Sequence, residues 1–147
     1  MRSMASGAIL VILMLAAGSA IAAEAQIAQV KTASGGASII RGGGPVIASP
    51  GDALYVSDVI DTGPNGTIGI TFVDNTVFSA GPGSQLALQQ FRFDSSNFRG
   101  EMLADMRKGT LTVVSGDIPR TAPGAMKIKT PTAVLGVSGT TFAVQVY

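Results

Sequence analysis

Along most of the chain after Gln26, β-branched and other apolar residues alternate with polar ones. Gly, Pro, Asn or Asp interrupt them roughly every eight to twelve positions, which is the punctuation of short strands. The clearest unit spans residues 67–80. Ile68, Ile70 and Phe72 fall on one face, Asp74-Asn75 reads as a two-residue turn, and setting Phe72 opposite Val77 returns an apolar face. Gly81-Pro82-Gly83 closes this unit, and Leu86 and Leu88 begin a third alternating strand. Phe91 and Phe93 then change parity, which requires a bulge or turn near Gln89-Gln90. Residues 37–41 form a first short strand, ended by Gly42-Gly43-Gly44-Pro45. The densest β signal lies at 126–146, where Lys127-Ile128-Lys129 alternates, residues 134–137 are a short apolar run, and Phe142, Val144 and Val146 recur with period two. Breaks at Thr130-Pro131 and at Gly139 divide it into strand, turn, strand, turn, strand. Residues 101–108 fit either a helical turn through Met102, Leu103 and Met106 or a strand through Met102, Ala104 and Met106. The expected fold is all-β, with short strands and hairpins in a solenoid-like or sandwich arrangement. A faint, gapped echo between residues 60–70 and 128–137 fits similar β units in either arrangement.

The amino terminus follows other rules. A short start carrying Arg2, an unbroken apolar run at 8–17 and a small-residue stretch ending in Ala20-Ile21-Ala22 have the order of a secretory signal peptide. The run is about half the ~20 residues that a spanning helix needs. We therefore expect a signal peptide at 1–22, a linker at 23–29 and a β domain at 30–147. Ala23-Glu24-Ala25 is a second cleavage choice, and no stable membrane span is expected after cleavage.

Cleavage would remove one of 10 basic residues and none of the 9 acidic ones, leaving the mature chain neutral. A neutral chain has no field with which to hold nucleic acid. Cysteine and histidine are absent. No disulfide can form, no lipid anchor can be attached at a cysteine, and zinc or copper would find almost no ligands. Asp52, Asp58 and Asp61 put three carboxylates within ten residues, but their spacing lacks the alternating ligands of a calcium loop, and Asp at turns bonds its own backbone. The triple glycine is expected to be a turn, because a phosphate cradle opens a helix and the residues after Pro45 are β-like. The remaining catalytic options are a Ser-Lys dyad or the Asp58 and Asp61 pair. Lys127 and Lys129 alternate with Ile128 and are expected to face solvent. No enzyme activity, metal or cofactor is expected.

The sequence KIKTPTAVLGVSGTTFAV at 127–144 resembles the closing motif of the FecR domain family, matching at Thr130, Pro131, Val137, Gly139, Thr140 and Phe142. It departs at Ser138, where the family usually has Arg. Gly51, Asp52, Thr62 and Gly63 are similar to the family's Gly-Asp and Thr-Gly signature, and Asp74-Asn75 stands at its hairpin turn with Asn in place of Gly. The resemblance implies a strand at 101–108. It also implies a domain found in regulators of iron-dicitrate uptake, whose periplasmic part senses an outer-membrane transporter while a cytoplasmic segment handles a sigma factor, and in exported modules. With only seven residues ahead of the apolar run, this chain is expected to lack such a cytoplasmic segment. The expected role is therefore an exported, non-enzymatic domain in the periplasm or secreted, binding a protein or cell-envelope partner. The alternative is a membrane-anchored periplasmic sensor component of envelope or iron-uptake signalling. Without His or Cys, no direct tight binding of iron or its citrate complex is expected.

Overall fold

The computed structural model describes residues 24–139 and 141–147, so the expected signal peptide lies outside the described residues. The described chain forms β1 (Ala28–Ser34), β2 (Ser38–Arg41), β3 (Gly44–Ile47), β4 (Ala53–Leu54), β5 (Val59–Asp61), β6 (Thr67–Phe72), β7 (Val77–Ala80) and β8 (Gln85–Asp94). After these come β9 (Arg99–Val114), helix α1 (Asp117–Thr121), β10 (Met126–Lys129), β11 (Val134–Val137) and β12 (Thr141–Val146).

Strand β9 organises the rest. Met102, Ala104 and Met106 point inward in its first part and Leu111 and Val113 in its second, so inward parity changes from even to odd. The change falls at Gly109, whose φ is 94° and where a Cβ would overlap Ser84, so both backbone and space demand glycine. Ahead of Gly109, β9 lies between β8 and β10; from Gly109 onward it lies between β7 and β12. One strand thus belongs to two rows, β3-β2-β5-β8-β9-β10-β11 and β4-β1-β6-β7-β9-β12, joined as a single curled sheet. Neighbours are antiparallel except β9 and β10.

The two rows enclose one core. Phe72 of β6 stacks on Phe91 of β8 across it, with ring centroids 5.5 Å apart, and meets Phe78 of β7 edge-on at 4.8 Å. Ile60, Leu86 and Ile128 from one row and Ile70, Leu111 and Val30 from the other complete the cluster. The fold is all-β, as the alternation predicts. The parity change before Phe91 is a bulge, with the register of β8 on β9 shifting between Leu88 and Gln90. Residues 101–108 are strand, with Met102, Ala104 and Met106 buried.

Three features differ from the pattern or extend it. The 67–80 hairpin pairs Thr71 with Val77 and Ile70 with Phe78, one step away from the expected Phe72–Val77 pairing. The turn is a three-residue loop in which Asn75 N–H donates to Phe72 O, Phe72 N–H donates to Thr76 O, and Asn75 itself takes φ 68°. Thr76 therefore occupies the inward place beside Phe72, which it can do because Asp74 accepts hydrogen bonds from its hydroxyl and its N–H. Strand β1 precedes the strand at Ser38–Arg41 that the pattern puts first; it starts at Ala28, where Ala28 and Val30 are buried between β4 and β6. Helix α1 has no counterpart in the periodicity, being only five residues long.

Candidate functional site

Where the curled sheet ends at β3 and β4, its core opens into a groove of about 320 Å³ lined by Ile39, Arg41, Val46, Asp52, Ala53 and Tyr55. Arg41, the last residue of β2, closes the floor. Its Nε and one terminal nitrogen donate to the two oxygens of Asp58 at 2.7 and 2.6 Å, and that terminal nitrogen also donates to Ala53 O at 3.0 Å. The guanidinium lies 4.9 Å from the centre of the Tyr55 ring, within reach of a cation–π attraction. Asp58 is buried, and its Oδ2 accepts the Tyr55 N–H as well. The hydrogen bond to Asp58 holds the Arg41 guanidinium above its ordinary pKa, with smaller contributions from the charges of Asp58, Tyr55 and Glu24. This planar two-point pairing ties the first row to the β4 edge, beside a groove in which Ile39, Val46 and Ala53 supply apolar surface and Asp52 a carboxylate.

Strand β3 forms the groove's outer lip. Among the described strands it pairs with β2 alone, and Val46 and Ile47 are 66% and 65% exposed. Pro45 can sit there because an edge strand does not need every N–H. Its four residues, Gly-Pro-Val-Ile, include no charge to discourage a further strand.

The motif residues are spread over the fold as turn anchors. Asp52 Oδ2 accepts the Ser49 N–H beside the groove, Gly51 has φ 96°, and the two bring the chain into β4. Thr62 is buried and links two turns, donating to Gly81 O at 2.9 Å and accepting the Ser84 N–H at 2.8 Å, while the Gly63 N–H bonds Asp61 Oδ1. Asp74 and Asn75 shape the β6–β7 loop. Thr130 Oγ1 accepts the Ala133 N–H around an exposed Pro131, setting the turn between β10 and β11. Gly139, with φ 65°, starts the turn into β12, and Phe142 packs partly buried opposite Val113. Thr140 lies outside the described residues. Among the described motif residues, only Asp52 lines the groove.

The carboxylates Asp52, Asp58 and Asp61 each serve a separate backbone turn, and Asp58 serves Arg41 besides. Among the described residues, no three acidic side chains come together as a metal would require. Lys127 and Lys129 face solvent on β10. The Arg41–Asp58 pair was not legible in advance, since an Arg ending a strand and an Asp in a turn are individually ordinary; only the folded sheet brings them together across 17 positions.

The FecR protein family matches residues 58–147, which begins at the buried Asp58 and runs through β5 to β12. Strands β1 to β4, with Gly51 and Asp52, precede the matched stretch. No curated protein and no solved structure matches the chain. Because the match takes in more than half of the sequence, the chain belongs to the FecR family.

Proposed function

We propose that this chain is an exported, non-enzymatic FecR-domain protein of the periplasm or cell surface, which binds a protein of the cell envelope by accepting one of its strands along β3. The observation that carries this reading is the uncharged β3 edge, with Val46 and Ile47 exposed beside an open groove. An extended segment added there would gain main-chain hydrogen bonds along the edge and lodge alternate side chains in the groove. Family membership supports a regulatory or sensing role, and the tripartite amino terminus supports export. Capture of envelope proteins by the tagged chain tests the reading. Wild type should retain a partner that Val46→Lys loses, because docking would bury the lysine charge. Equal capture by both would place the binding surface elsewhere.

The alternative is an anchored component of envelope or iron-uptake signalling that keeps its apolar run at 8–17. Intact-mass measurement separates the two. A chain starting at Ala23, or at Gln26, supports export with cleavage, and a retained Met1 supports the anchor.

A further inference from the structure

Among the described residues no further strand covers either end of the curled sheet, and the two ends are matched in strand direction. With β9 taken as pointing up, the antiparallel steps set β8 down, β5 up, β2 down and β3 up. On its other side β10 is up, by the parallel pairing, and β11 is down. In the second row β7 is down, β6 up, β1 down and β4 up, and β12 is down. One end therefore presents β3 and β4, both up; the opposite end presents β11 and β12, both down. A second copy shifted along the sheet without being turned over would set β11 against β3 and β12 against β4. Both new pairs would be antiparallel, the more stable arrangement per residue.

The side chains at the two ends agree with this. None of the four edge strands, Gly-Pro-Val-Ile, Ala-Leu, Val-Leu-Gly-Val and Thr-Phe-Ala-Val-Gln-Val, carries a charge, whereas charge is what commonly keeps sheet edges apart. A groove lies at each end. Val46, opposite the buried Ile39, lines a groove of about 320 Å³, and Leu135, opposite the buried Ile128, lines one of about 350 Å³ with Val144 and Val146. The charges that flank the edges differ in sign. Asp52 lines the first groove and Glu24 lies close enough to act on Arg41, whose own charge is matched by Asp58, with Lys31 one strand further in. Lys127 and Lys129 flank β11 through their pairing with Gly136 and Val134. Among the described residues, no ion pair takes up Asp52, Glu24, Lys127 or Lys129.

We infer that the strand accepted by the β3/β4 groove belongs to a second copy of this chain, whose β11/β12 end continues the sheet head to tail. The inference rests on the reading of that groove as a protein-docking site and names its occupant. Such a contact is heterologous and does not close on itself, so it builds a row of copies rather than a two-fold dimer.

Sedimentation of the full chain, expressed with its own leader and purified as the cell processes it, tests this over a roughly hundredfold range of concentration. Wild type should grow past the dimer as concentration rises. Val46→Lys and Leu135→Lys should each remain monomeric, because each spoils one end. An equimolar mixture should form a one-to-one pair through the two intact ends, which also shows that both variants are folded. A wild type that stays monomeric throughout overturns the inference, as does association unaffected by either substitution. So does dimerisation of Leu135→Lys alone, which would indicate two-fold pairing of β3 with itself. If wild type is monomeric while Val46→Lys still loses an envelope protein, the docking groove stands and its occupant is a different protein.

Discussion

Asp74 Oδ2 accepts the N–H of Ile118, 44 positions further along the chain, at 3.1 Å. The same oxygen takes the Thr76 hydroxyl, Asp74 Oδ1 takes the Thr76 N–H, and the Asp74 carbonyl takes the Asp117 N–H. One fully buried side chain thus joins the β6–β7 loop to the start of helix α1, satisfying donors that the helix cannot satisfy itself.

Replacing Asp74 by Ala should leave the Ile118 and Thr76 donors buried and unmatched, at a cost of roughly 3 kcal/mol. Asp74→Asn keeps one acceptor but turns an amide toward a donor, so a loss of about 1–2 kcal/mol is expected. Urea melts of both variants measure this. Midpoints indistinguishable from wild type would mean that α1 is held by its apolar contacts alone.

The same residue shows what the sequence could and could not reveal. Alternation revealed the strands because each has one buried face, and the switch from Leu88 to Phe91 required a bulge or turn because parity is a strict geometric count; a bulge is what forms there. The hairpin register was off by one because Thr76, a polar residue, is buried; its partner Asp74 makes this affordable, and a hydropathy pattern cannot register that. Helix α1 leaves no mark in the pattern because a five-residue helix containing Pro119 has no period, and its start is fixed by Asp74 from a distant loop. The groove was equally hidden. Val46 and Ile47 look like core residues in sequence and are exposed only because β3 ends its row.

Arg41 and Asp58 should be energetically coupled. Losing Arg41 leaves Asp58 as a buried, poorly compensated carboxylate, but the guanidinium side is 49% exposed, so the cost falls below that of a fully buried pair. Arg41→Met should destabilise by about 2 kcal/mol, and by at least about 1 kcal/mol less when Asp58 is already Asn. A double-mutant cycle by urea denaturation reads the difference directly. Additive losses would show that Arg41 acts through Ala53 O and its contact with Tyr55 rather than through Asp58.

The β8–β9 turn should respond to acid. The hydroxyl and the N–H of Ser96 both donate to Asp94 Oδ1, and these bonds lower the carboxyl's pKa below its ordinary value, with a small contribution from Arg92. A depressed carboxylate favours the folded turn above its unfolded pKa and loses that contribution as pH falls through the folded one. The Ser96 amide resonance should therefore move during acid titration with a midpoint below that of a free aspartate. In Ser96→Ala the Asp94 midpoint should rise toward the ordinary value; an unchanged midpoint would remove the hydroxyl as the main cause.

Gly139 separates two reasons for conserving space at the closing motif. Its φ is 65°, in the left-handed region, whereas a Cβ there would meet Arg120, with Cγ at 3.6 Å and Cα at 3.9 Å, both ordinary contacts. The backbone, rather than crowding, is what calls for glycine. Gly139→Val should then destabilise by roughly 2 kcal/mol or more, since a β-branched residue is strained at positive φ. Gly139→Asn should cost clearly less, because Asn visits that region readily and Asn75 already does so in this chain at φ 68°. Ser138→Arg should be tolerated, as Ser138 is exposed and a long charged side chain can reach water. The ordering of the Val and Asn variants in urea melts decides the point. If both lose stability equally, space around Arg120 governs the position and the backbone explanation fails; if neither does, the turn into β12 tolerates any residue and the motif's glycine is not what holds it.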